Sequence, residues 1–184
     1  SISDLNVGIV GLGRIASYLL HLLIPFNPKS ILISDNHDKN DDIQKYISKG
    51  MNIRQVSMNE LLANSDVITI HVPLTSTTEN LITYEQFKHM RDNSILINTS
   101  RGGIVNEKDL FTALETNIIS GAALDVYEKE PYDGPLANLN NIILSTHLGS
   151  NTSGCRNLME QQALDDILHF YRGEELEHEV PEYE

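Results

Sequence analysis

The stretch VGIVGLGRIA, Val7 to Ala16, decides the fold. Its opening VGIV is a short unbroken apolar run, expected of a strand in a sheet that helices cover on both faces. GLGRIA, Gly11 to Ala16, follows at once and fits the pattern G-x-G-x-x-G/A. Gly11 permits a tight turn, Gly13 lets the main chain approach a pyrophosphate, and Ala16 is small enough for the next helix to pack on the strand. Unpaired amides and the dipole at the start of that helix would hold the negative charge. The pattern alone is weak, and a plain strand-to-helix turn could carry it; its context makes it specific. Asp35 closes the next apolar run, 24 residues after Gly11. A carboxylate there accepts hydrogen bonds from an adenosine ribose and repels a 2′-phosphate. A dinucleotide cofactor is expected, NAD rather than NADP.

Outward from this stretch, similar runs recur at intervals of roughly 20 to 35 residues: ILIS from Ile31, VITIHV from Val67, SILIN from Ser94, GAALDV from Gly121 and NIILST from Asn141. NIRQV from Asn52 is a candidate seventh. Helical patterns lie between them. Ser57 with Glu60, and Thr83 with Gln86, have the spacing of capping boxes, and Asn106 is placed to cap a helix running to Thr116. Pro25 and Pro28 end the first helix. Gly173 ends a long amphipathic one that begins near Thr152 and carries Leu158, Ala163, Leu164, Ile167, Leu168 and Tyr171 at helical spacing. Strand and helix alternate throughout, which predicts an α/β fold: a doubly wound parallel sheet in a single domain, residues 1–184, with an acidic tail over 173–184. In such a sheet ligands gather at the carboxyl ends of the strands.

Composition limits the alternatives. The 184 residues are 40% hydrophobic and 21% charged, the make-up of one globular domain. With 13 Lys+Arg against 26 Asp+Glu the formal net charge is −13, the wrong sign for a surface that must neutralise nucleic acid. Nine of the acidic residues, against one Arg, fall between Glu160 and Glu184 and read as a solvated tail. One cysteine, Cys155, allows no internal disulfide, and neither a membrane span nor a signal peptide is visible. A cytoplasmic location is expected. The histidines and Cys155 show no ligand spacing, so no metal site is expected. His71, in ITIHVP, ends a strand near the cofactor crevice and reads as a packing or backbone-contact residue.

Three side chains follow the carboxyl ends of strand runs: Arg101 in INTSRGGIV, Glu130 in EKEP and His147 after NIILST. Singly, each is more often structural: an ion-paired Arg, a solvated Glu, a core His. Jointly they suit one crevice. A guanidinium grips a carboxylate, an imidazole moves a proton, and a carboxylate orients the imidazole, an acid/base site for a 2-oxo or 2-hydroxy acid.

The ordered motifs VGIVGLGRIA, HVPLTSTTENLI, ILINTSRGGIVNEKDL, GAALDVYEKEP and THLGS resemble the nucleotide-binding domain of the D-isomer-specific 2-hydroxyacid dehydrogenases, a Rossmann-type fold, nearly end to end. The resemblance implies that Arg101 binds the substrate's carboxylate and carbonyl oxygen, that His147 is the acid/base, and that Glu130 stabilises its protonated form. It implies cofactor contacts from Gly11, Gly13, Arg14 and Ile15 at the pyrophosphate, Asp35 at the ribose, and Val72 and Pro73 on the adenine side. Thr99, Ser100 and Asp125 would fix the nicotinamide carboxamide, and Gly149 and Ser150 would close the pocket with His147. Ala16 departs from the commoner third glycine, and Thr146 from the usual proline before the histidine. The family's substrate-binding domain, built mostly from sequence before the glycine loop, is absent here, so an excised domain or fragment is expected that binds NAD but turns over poorly. The implied substrate is a small 2-hydroxy or 2-oxo acid, phosphoglycerate being one, and a homodimer is expected. A corepressor-type, non-enzymatic NAD(H)-responsive interaction domain is the alternative reading; an S-adenosylmethionine-dependent methyltransferase fits the dinucleotide spacing poorly.

Overall fold

The computed structural model describes residues 1–177; the distal acidic tail, with His178, lies outside the described residues. Seven strands form one all-parallel sheet: β1 Asn6–Val10, β2 Ser30–Ser34, β3 Ile53–Gln55, β4 Val67–Ile70, β5 Ile95–Asn98, β6 Gly121–Leu124 and β7 Ile142–Leu144. Their order is β3-β2-β1-β4-β5-β6-β7, so chain direction across the sheet reverses between β1 and β4. The carboxyl ends of those two strands flank the crevice where this fold class binds ligands. All six expected runs are strands, and NIRQV contributes the edge strand β3.

The helices are α1 Arg14–Leu23, α2 Asn40–Ile47, α3 Met58–Asn64, α4 Tyr84–His89, α5 Glu107–Glu115 and α6 Ser153–Arg172. The chain divides into two compact units, Ser1–Thr146 and a second that begins at His147. The first holds the whole sheet, α1 to α5 and two apolar clusters. Alternation along β2 separates them: Ile31 and Ile33 join Ala16 and Leu20 of α1 and Ile43 and Tyr46 of α2, while Leu32 joins Leu61 and Leu62 of α3. Phe87 of α4 and Leu110 of α5 extend that second cluster. Each fully buried leucine or isoleucine contributes roughly 1.5–3 kcal/mol.

The expected cover on both faces is complete only over part of the sheet. Ile95 of β5 is 40% and Ile143 of β7 73% exposed, because α1 and α2 both lie against β1 to β3 while α3 to α5 take the opposite face. The capping expectations divide likewise. At Thr83 the box forms: the Gln86 carboxamide oxygen accepts from the Thr83 amide at 3.1 Å. At Ser57 only half forms. The serine oxygen accepts from the Glu60 amide at 3.3 Å, but the Glu60 carboxylate pairs with Arg54 at 2.7 Å instead of turning back. Asn106 caps α5 through the Asp109 amide at 3.0 Å. In the second unit Thr152 accepts from the Cys155 amide at 3.2 Å, and Gly173, left-handed at φ 69°, closes α6 as expected.

Candidate active site

Gly11 turns the chain out of β1 at φ 88°, and its amide donates to the Ser34 carbonyl at 2.8 Å. Any Cβ there would also lie 2.7 Å from Val72 Cγ1, so both backbone angle and close approach require glycine. Gly13 precedes α1, and a Cβ on it would meet nothing within 4 Å. Packing within the chain therefore does not demand glycine at this position. Arg14 and Ile15 follow in the first turn of α1, and Ala16 is fully buried beneath it, the small contact the pattern called for.

Asp35, just past β2, faces this loop. Its Oδ2 accepts from the Leu12 amide at 2.8 Å and its Oδ1 from the His37 amide at 2.9 Å. Burial acts to raise this carboxyl, but the His37 and Leu12 amides and the charge of Lys39 prevail and hold it below the ordinary value. It is therefore an anion beside a glycine-rich turn at neutral pH. Across the crevice, Val72 and Pro73 leave β4, where Thr78 shapes the next turn: its hydroxyl donates to the Pro73 carbonyl at 2.6 Å and accepts from the Thr75 amide at 2.8 Å. His71 is half-buried with Nε2 3.0 Å from the Thr69 hydroxyl, and burial lowers its pKa, as suits a packing role.

Arg101 and Glu130 come from the loops after the neighbouring strands β5 and β6. Asn98, 2% exposed at the end of β5, organises the first loop: its Oδ1 accepts from the Ser100 amide at 3.1 Å, and its Nδ2 donates to the Arg101 carbonyl at 2.9 Å. One arm of the Arg101 guanidinium donates to the Ser100 carbonyl at 2.7 Å. In the second loop, Glu130 Oε1 accepts from the Tyr127 amide at 3.2 Å. Asp125, 6% exposed, accepts from the Ser145 hydroxyl at 2.6 Å. The loops touch through Gly102, where a Cβ would overlap the Tyr127 carbonyl. Glu107 and Glu128 fasten them further: the Glu128 amide donates to Glu107 Oε1 at 2.7 Å and the Glu107 amide to Glu128 Oε1 at 3.4 Å. Burial, then the charge of Glu128, pushes the Glu107 carboxyl up. Beside Glu130 opens a largely apolar pocket of about 480 Å³, walled by Tyr127 and Tyr132, whose rings stack at 4.6 Å.

His147, Gly149 and Ser150 belong to the second unit, in the segment before α6. His147 itself is left-handed at φ 56°, a conformation costing a non-glycine residue on the order of 1 kcal/mol and concentrated at functional positions. The first unit thus gathers the glycine loop, Asp35, Val72, Pro73, Thr99, Ser100, Arg101, Asp125 and Glu130 at the carboxyl ends of its strands. Sequence reasoning missed Asn98, Thr78, Gln55 and the Glu107–Glu128 pair. A polar residue closing an apolar run, as in ILIN, was the available signal for Asn98.

Among the described residues no group of side chains suits a metal ion, and no helix is long and apolar enough to cross a membrane. Residues 1–149 match the family model described as D-isomer specific 2-hydroxyacid dehydrogenase, NAD binding domain. The chain is 37% identical over 171 residues to a glyoxylate reductase of Korarchaeum cryptofilum, covering 92% of this chain and 50% of that protein. With a D-3-phosphoglycerate dehydrogenase of Methanocaldococcus jannaschii it shares 36% over 177 residues, 95% of this chain and 33% of the other. The solved structure of D-lactate dehydrogenase with NAD+ from Lactobacillus jensenii superposes with a TM-score of 0.84 at 27% identity, over 98% of this chain and 57% of that one. The chain spans about half the length of the curated relatives it matches, or less.

Proposed function

Since the chain belongs to the D-isomer-specific 2-hydroxyacid dehydrogenases, as their NAD-binding domain, we propose that it serves an oxidoreductase that interconverts a small 2-hydroxy acid and its 2-oxo acid. One observation carries this reading: Arg101 and Glu130 stand after adjacent strands, at the same sheet edge as the glycine loop and Asp35. The amides of Arg14 and Ile15 and the clearance at Gly13 hold the pyrophosphate, and Asp35 accepts from the ribose. Val72 and Pro73 line the adenine side. Thr99, Ser100 and Asp125 take the carboxamide end, with Gly149 and Ser150 closing over it. NADH, when bound, supplies the hydride for the substrate carbonyl. Arg101 grips the substrate carboxylate and stabilises charge developing on the carbonyl oxygen. His147 gives that oxygen its proton, and Glu130 favours the protonated imidazole.

The named relatives are reductases and dehydrogenases, which favours this reading over a corepressor-type interaction domain. A cytoplasmic homodimer completes the proposal, with the substrate enclosed by a further domain of the kind the longer relatives have room for. Calorimetric titration of the 184-residue chain with NADH is the direct test. We expect saturable binding that excess NADPH does not match, His147→Ala to leave the affinity within about twofold, and slow turnover of glyoxylate, hydroxypyruvate or 3-phosphoglycerate by the chain alone. Absence of NADH binding overturns the reading.

A further inference from the structure

The segment from Asp35 to Lys39 leaves the sheet after β2, so its backbone groups have no strand partner. One side chain supplies three of them. Gln55, the half-buried last residue of β3, donates from Nε2 to the His37 carbonyl at 2.8 Å and to the Asp35 carbonyl at 3.2 Å. Its Oε1 accepts from the Lys39 amide at 2.8 Å. The His37 residue held in this way is the one whose amide fixes Asp35 Oδ1, while Leu12 of the glycine loop fixes Oδ2. The Asp35 carboxylate is therefore clamped from both sides.

We infer that Gln55 is a positioning residue for cofactor selectivity: it holds the 35–39 segment so that the Asp35 carboxylate cannot swing away from the nucleotide's 2′ position. The inference rests on the proposed role of Asp35 at the ribose. A 2′-hydroxyl donates to a carboxylate in that place, whereas a 2′-phosphate is repelled by it. Rejection depends on the carboxylate being unable to retreat, since like-charge repulsion falls with distance. Anchoring the segment therefore acts on the choice between NADH and NADPH, through Asp35, rather than on dinucleotide binding in general. The His37 carbonyl is exposed and the Asp35 carbonyl and Lys39 amide are only half-buried, so water can replace the glutamine and the fold survives the change.

The experiment is a titration of the 184-residue chain with NADH and NADPH in four forms: unsubstituted, Gln55→Met, Asp35→Ala and the double variant. Methionine keeps the length of glutamine without its donors or acceptor. Gln55→Met is expected to narrow the NADH-to-NADPH affinity ratio about tenfold, the equivalent of one or two hydrogen bonds, with a melting temperature close to that of the unsubstituted chain. In the Asp35→Ala background the same change is expected to move the ratio less than twofold, because its effect passes through the carboxylate. An unchanged ratio in Gln55→Met, an equal loss for both nucleotides, or a full effect persisting without Asp35 overturns the inference. If Gln55→Met does not fold, Gln55→Ala, which is uncharged and loses all three bonds, carries the same expectation. Should Asp35→Ala itself leave the ratio unchanged, the ribose assignment fails, and the role of Gln55 fails with it.

Discussion

A single hydrogen atom decides the geometry at Gly102. Its position against the Tyr127 carbonyl brings the loop of Arg101 and the loop of Glu130 into backbone contact, and neither backbone can yield without moving its functional side chain. Gly102→Ala is expected to cost about 3 kcal/mol in urea denaturation, the range for overpacking against rigid surroundings. At this scale the site was only partly legible in the sequence. Arg101, Glu130 and Asp35 could be read because charged residues just past apolar runs fall at the ligand edge of a parallel sheet. Asn98 and Gln55 could not, because their work is to satisfy backbone groups of loops whose paths no local pattern reveals.

Elements explain how the loops are fastened. The first turn of α5 sets Glu107 against the Glu130 loop, where its carboxylate takes the Glu128 amide at 2.7 Å while burial and the Glu128 charge resist its ionisation. A raised folded-state pKa means that ionisation weakens the fold above the unfolded value of 4.5. Glu107→Gln keeps an acceptor and removes the charge, so its melting temperature at pH 7 is expected to equal or exceed that of the unsubstituted chain. Glu107→Ala, losing the acceptor, is expected to fall by about 1 kcal/mol in the same thermal scans. Strands were more legible than helices because each core strand is a nearly continuous apolar run. Helix α2, NDDIQKYI, escaped notice: it shows only Ile43, Tyr46 and Ile47 as apolar marks, and Lys39 before it makes no side-chain cap. Ser57 signalled its helix correctly, but Glu60 had a better partner in Arg54, which lies on β3 and is invisible to a local spacing rule.

Across the whole molecule, charge and burial set the response to acid. The chain carries −13 at pH 7, and protonation of surface carboxylates relieves self-repulsion as the pH falls toward the isoelectric point near 4.8. His71 acts in the opposite sense. Burial lowers its folded-state pKa below 6.5, so the unfolded chain takes the proton first, and stability falls as the pH drops from 6.5 to that lower folded value. Thermal unfolding from pH 8 to 5 is expected to show His71→Gln losing less stability than the unsubstituted chain on the acid side, with the difference at pH 8 unaffected by this titration. The global architecture was readable from the alternation of strands and helices, whereas the exposed face at Ile95 and Ile143 was not, because an apolar run does not say whether both of its faces find cover. The uniform strand direction also gives the first unit a practical asymmetry. Its chemistry-bearing loops share one rim, while Lys29, Arg54 and Arg91 stand around a polar cleft at the other. A dye or sensor-chip tether attached through Lys29 would thus sit remote from the nucleotide, making that lysine the natural handle for watching dinucleotide capture without obstructing it.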